Sequence, residues 1–227
     1  NSGDLYPDFD ITVDGDIEIT DSFVGLEEWT DNYADGNIDI TETNYTLNIL
    51  DSTIRSGIYA CHDSNAGCNS TYYNSEVYIS DLILFGHFFV EQNSDVTIID
   101  SELKVNVKSD SINLTVYDTN IGGELRSDGN GLESLFTRMD NVSVASHLAI
   151  KGKVLDIVGG SFSSSTNIEY DIVNMTNVTF GNELSLEASD SAIIHNVTVS
   201  LELYGEINNL HLEGVQTGHG SNTLRAN

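Results

Sequence analysis

Apolar residues recur along this chain at fixed distances from an Asp, Asn or Gly: four and two positions before it and three after. Asp51 is framed by Leu47, Ile49 and Ile54, Asp81 by Val77, Ile79 and Leu84, Asp100 by Val96, Ile98 and Leu103, and Asp118 by Leu114, Val116 and Ile121. Gly159, Asn177 and Asn196 are framed in the same way, and Asp21 adds a copy near the start. Asn141 has Thr137 in its first slot and Gly214 has Thr217 in its last. The slot two before the anchor is apolar in all ten copies, although only 39% of the chain is apolar. Successive anchors stand 30, 30, 19, 18, 23, 18, 18, 19 and 18 residues apart, so the unit is 18 residues with three insertions.

A second apolar pair follows seven and nine past the anchor: Ile58 and Ala60, Phe88 and Val90, Leu148 and Ile150, Leu184 and Leu186. After Asp100 and Asn196 the pair reads with a two-residue shift, as Val105 and Val107 and as Leu201 and Leu203; after Gly159 it reads as Ile168 and Tyr170. Two alternating segments per unit, with no helical period, predict an all-β parallel β-solenoid of about ten coils with two strands each. One coil cannot bury its own apolar stripe, whereas coils stacked about 4.8 Å apart bury it continuously and pair each backbone group above and below. The expected layout is one domain over 1–227, with an irregular N-terminal coil or cap at 1–46, regular coils at 47–217, and a tail at 218–227. Loop insertions are expected at 61–75 and 126–134.

Charge narrows the partners. Eight Lys and Arg against 36 Asp and Glu give a net charge of −28, which repels nucleic acid and anionic lipid. Every apolar run stops short of the roughly 20 residues a membrane helix needs. Cations, glycans and protein surfaces remain as partners, a second copy of the chain among them.

Several features point outside the cell. Asn-x-Ser/Thr triplets occur at Asn44, Asn69, Asn113, Asn141, Asn174, Asn177 and Asn196, candidate N-glycosylation sites among which Asn69 and Asn113 are expected to be favoured. Cys61 and Cys68 bracket CHDSNAGC, where a disulfide within the loop fits an oxidising exterior; free thiols or a bridge to another copy are the alternatives. The sequence opens at Asn1 without a basic and apolar leader, as a processed secreted chain would.

Candidate catalytic chemistry is sparse. No Gly-x-Ser-x-Gly, Walker loop or His-Glu-x-x-His occurs, and among 36 acidic side chains suitably spaced carboxylate pairs arise by accident. The expectation is therefore a protein that is not an enzyme and needs no cofactor. Asp51, Asp81, Asp100 and Asp118 would stack on neighbouring coils, so calcium or another cation along that column is weighed against plain solvent-facing corners, where Asp and Asn tolerate bends. Asp35-Gly36-Asn37-Ile38-Asp39 resembles half an EF-hand loop, but Ile40 and Thr46 stand where its Gly and bidentate Glu belong.

The repeats LNILDSTI, VTIIDSEL and IIHNVTV, in an Asp- and Asn-rich, Lys-poor setting over about residues 15–217, resemble the β-solenoid proteins of microbial exteriors. They look most like the amyloid-like β-arch proteins of the extracellular sheath of methanogenic archaea. That resemblance implies copies joined laterally into hoops or tubes outside the cell, reinforced by disulfides. The expected role is a self-assembling structural protein of a sheath, surface layer or filament at the cell surface. The rivals are a glycan-binding adhesin or viral spike, which an exposed aromatic column would favour, and a polysaccharide-active β-helix enzyme.

Overall fold

The computed structural model describes the backbone at residues 9–13, 17–20, 23–25, 36–40, 46–50, 53–55, 57–60, 75–80, 83–84, 87–90, 94–103, 106–109, 113–127, 134–218 and 222–226, and side chains at 97–103, 107, 113–127, 134–218 and 222–225. The chain is a parallel β-solenoid with two sheets. One sheet carries the long strands, such as Leu148–Val158, Thr166–Thr176 and Leu184–His195; the other is a ladder of two- and three-residue strands, such as Ser161–Phe162, Thr179–Phe180 and Thr198–Val199. About six turns, from Asp100 to Gly214, have described side chains, and strands of the same two sheets continue toward the N-terminus back to Phe9–Val13.

Each coil repeats one path. A long strand ends at the anchor, the chain swings through a left-handed residue, a short strand follows, and a turn of small residues leads back. All seven described anchors are left-handed: Asp100, Asp118, Asn141, Gly159, Asn177, Asn196 and Gly214 have φ of 48°, 45°, 53°, 69°, 58°, 52° and 65°. An ordinary side chain pays about 1–2 kcal/mol there, while Gly, Asn and Asp are tolerated. That explains the anchor alphabet. The second turn carries Gly122, Ala145, Ser163, Gly181, Ser200 and Gly218 four past the anchor, and amides from Ser163, Gly181 and Ser200 donate to Val144, Phe162 and Phe180 carbonyls at 2.9, 2.7 and 2.8 Å.

The columns predicted from sequence lie in the core. Ile98, Val116, Met139, Ile157, Met175 and Ile194 stack two before the anchor, and Leu103, Ile121, Val144, Phe162, Phe180 and Val199 three after, all buried. The Phe162 and Phe180 rings stack with centroids 5.2 Å apart. The two-residue shifts do not occur. Val107 and Leu203 keep the seventh slot, pairing with Leu125 and Leu184, whereas Leu201 is 43% exposed. Val105–Val107 and Leu201–Leu203 are the more apolar pairs, but register follows the backbone ladder. After Gly159 the seventh slot is Thr166, in register with Leu148 and Leu184.

Two inward slots escaped the sequence pattern. One past the anchor, Ser101, Thr119, Val142, Val178 and Val197 are buried, and the two hydroxyls are satisfied locally: Ser101 donates to the Ile99 carbonyl and Thr119 to that of Tyr117, both at 2.7 Å. Eleven past it lie Gly152, Tyr170 and Ala188. Between Gly152 and Leu155 the alternation slips by one residue, leaving Lys153 and Val154 both outside the core, so each long strand bends. The 19-residue coil from Asn177 to Asn196 is absorbed at the same bend, where the register shifts between Ala188 and Ser191. The six residues 128–133 separate Ser127 from Ser134 at this bend as well, so a longer coil leaves the ladder intact. Residues 218–227, read as a tail, contribute the strand Thr223–Ala226, which pairs with Tyr204–Ile207.

Tyr170 links three layers. Its ring crosses the space that the side-chain-free Gly152 leaves, and its hydroxyl donates to Thr137 Oγ1 at 2.8 Å; Thr137 Oγ1 also meets Ser134 Oγ at 3.2 Å. Thr137, an apparent failure of the repeat, is thus fully buried with a polar partner. Burial pushes the Tyr170 phenol well above the ordinary tyrosine range, only partly offset by the Thr137 bond. The folded state therefore resists ionisation: its stability is complete below the ordinary value near pH 10 and falls as pH rises beyond it. Tyr170→Phe should cost about 1 kcal/mol at neutral pH and flatten the alkaline loss of stability, as measured by urea unfolding between pH 7 and 11.

Candidate functional site

The most regular chemistry lies on the left-handed corner. The Asn141 amide donates to Asp118 Oδ1 at 2.7 Å and the Asn196 amide to Asn177 Oδ1 at 3.2 Å, so side chains on neighbouring coils are linked outside the core. Asp100 and Asp118 stand exposed in this column, and the Asn141 amide, not a third carboxylate, follows Asp118. The corner supplies the solvent-facing reading of these aspartates with its geometry. Asp51 and Asp81, candidates for the same column, lie outside the described residues, as do Cys61, Cys68, Asn44 and Asn69. Among the described residues no group of three or more His, Cys, Asp or Glu is placed to hold a metal ion.

A second polar ladder follows the bend of the long strands. Lys153 meets Asp171 at 3.3 Å, Ser189 donates to Asp171, Asn208 donates to the Ser189 carbonyl, and Asn209 donates to the Asp190 carbonyl at 2.9 Å. The Ser189 hydroxyl first, and the Lys153 ammonium second, hold the exposed Asp171 carboxyl below its usual range. What the pairing contributes is present at neutral pH and is lost as acid protonates that carboxylate. The ladder supports backbone groups that the extra residue displaces from the sheet.

Beside it runs a column of charge. Lys151, Glu169, Glu187, Glu206 and Arg225 occupy one register position on successive strands. Lys151 meets Glu169 at 3.4 Å and Arg225 meets Glu206 at 3.7 Å, so a cation closes each end of a row of three carboxylates. Such exposed pairs contribute little individually, but the arrangement keeps the stacked glutamates from being wholly uncompensated. A shallow hollow of about 170 Å³ lies against Lys151, Glu169, Asp171, Glu187 and Ser189.

The sequons occupy unlike positions. Asn113, expected among the favoured acceptors, opens the strand Asn113–Tyr117, where it is half-buried and has a partner. Asn174 is half-buried on a long strand, in register with Asp156 and Ile193, whereas Asn141, Asn177 and Asn196 are exposed corners. The aromatic rings stacked at coil spacing, Phe162 and Phe180, face inward, and Tyr170 is buried.

Fold and surface together define a parallel β-solenoid with a continuous apolar interior and ordered polar columns along its edges. Comparison with protein families, with curated proteins and with solved structures finds no match to the chain.

Proposed function

We propose that this chain is a self-assembling structural protein that builds a sheath, surface layer or filament outside the cell, by end-to-end and lateral packing of solenoids. The observation that carries the reading is the state of the last described coil. Leu212 is 43% exposed although it belongs to the column in which Ile98, Val116, Met139, Ile157, Met175 and Ile194 are at most 1% exposed. Among the described residues, Asn208–Glu213 and Gln216–Thr217 have no strand on their far side. Such an edge offers unpaired backbone groups and a greasy column at the spacing a further coil requires.

The first described coil offers the complement. Among the described residues, its strands Phe9–Val13, Ile17–Thr20 and Phe23–Gly25 pair on one side only, with Gly36–Ile40, Thr46–Leu50 and Thr53–Arg55. Docking one end of a copy on the other end of the next is a heterologous contact, which propagates into an open polymer. The acidic surface resists nonspecific association while leaving the ends to determine growth.

Electron microscopy and fibre diffraction of the purified 227-residue chain test this. Ordered filaments or tubes are expected, with a reflection near 4.8 Å along the strand-stacking direction. Leu212→Lys should shorten or abolish them while leaving a folded monomer by circular dichroism. A monodisperse monomer at all concentrations would overturn the proposal.

A further inference from the structure

The five described sequons do not offer equivalent amides. Asn113 is partnered and Asn174 is half-buried. At the corner, Asn141 already donates its amide to Asp118, and Asn196 donates its own to Asn177. Asn177 is different: it enters that bond through Oδ1, so its Nδ2 is left without a partner among the described residues. The hydroxyl residue of its triplet is exposed as well. Thr179 faces solvent, whereas Thr115, Ser143, Thr176 and Thr198 in the other four are half-buried, and Ser143 is tied to Ser161 at 3.2 Å.

The space beside Asn177 is also open. The neighbouring corner on one side is Gly159, where even an added Cβ would meet nothing closer than 3.7 Å. Val178, between the two exposed residues, is buried and anchors the triplet to the core. Asn177 lies on the left-handed corner beyond the end of the long strand Thr166–Thr176, so a large substituent there is attached outside the strand register that Asn174 shares with Asp156 and Ile193.

We infer that Asn177 is the N-glycan acceptor of the described part of the chain, with a polyprenyl-phosphate- or polyprenyl-diphosphate-linked oligosaccharide as donor. Nδ2 forms a bond to the anomeric carbon, the bond from that carbon to the phosphate oxygen breaks, the lipid phosphate departs with the bonding pair, and the amide proton passes to the transferase base. This rests on the extracellular part of the proposed function. It adds that the sugar occupies an edge of the solenoid, leaving the long-strand face and both ends uncovered.

The test is to incubate the folded, purified chain with a single-subunit oligosaccharyltransferase and its lipid-linked donor, and to map the product by peptide mass spectrometry. Asn177 should be modified at least tenfold faster than Asn141 or Asn196. Thr179→Ala, which leaves the corner amide in place, and Asn177→Gly, which keeps the left-handed turn, should each abolish that product. A bare Asn177, or equal modification at Asn141 or Asn196, would overturn the assignment. Electron microscopy of the same samples separates the two proposals: filaments with a bare Asn177 sink only the glycan site, and a modified Asn177 on a permanent monomer sinks only the assembly.

Discussion

Replacing Phe180 with alanine should remove about 3–5 kcal/mol of stability, among the largest losses available to a single side chain in this protein. Phe180 is fully buried, stacks on Phe162, and lies in the column that continues through Val144 and Val199. The cost has two parts: the lost transfer of an aromatic ring from water, and a cavity that the coils above and below cannot collapse into, because their spacing is set by the backbone ladder. Phe180→Leu, which refills most of the volume, should recover more than half of the loss. Urea denaturation of the three proteins measures this, and a Phe180→Ala loss below 1 kcal/mol would show that the column is loosely packed.

A comparable loss is expected from a single methyl group at Gly160. This residue has φ of 95°, and a Cβ there would be driven into the Val142 carbonyl oxygen and lie 2.9 Å from the Val142 nitrogen. The Val142 carbonyl accepts from the Ser161 amide at 3.0 Å, and the Val142 nitrogen lies between the Asn141 and Ser143 amides, which donate to Val158 and Thr119 at 2.8 and 2.9 Å, so neither atom can withdraw cheaply. Unfavourable φ alone costs about 1–3 kcal/mol, and the collision adds to it; a total near 4 kcal/mol is expected for Gly160→Ala. Its neighbour supplies the control. Gly159→Asn places in a left-handed slot the residue that Asn141 and Asn177 already are one coil away, and should stay within about 1 kcal/mol of the parent. If both substitutions prove equally mild in thermal unfolding, the close stacking of coils at this corner is wrong.

The difference between these two glycines shows what the sequence discloses and what it withholds. The 18-residue repeat, the alternation on either side of each anchor and the restriction of the anchor to Asp, Asn and Gly were sufficient to identify the stacked coils. They reflect backbone demands that recur on every turn: a corner needing positive φ and slots needing apolar volume. Gly160 carries no such signature, since Ser101, Thr119, Val142, Val178 and Val197 fill its position elsewhere. Its necessity arises from how closely one coil lies on the next.

Tyr170, Gly152 and Thr137 are another case. Each departs from its column alone, and only in three dimensions does one departure accommodate another. At Val107 and Leu203 the apolar pattern points to a shifted pair, whereas backbone register, the stronger constraint, keeps both in the seventh slot. The corner sequons also looked interchangeable in sequence. Which amide each one presents depends on the side chain one coil away, and residue spacing does not encode that.

Backbone pairing here links each described strand only to the turns directly above and below, so a pull on either terminus would peel the molecule like a spring losing one loop at a time. The phenol that passes over Gly152 to reach Thr137 fastens three loops with one rivet. Peeling that arrives there must free all three together, and the force needed should rise at that point.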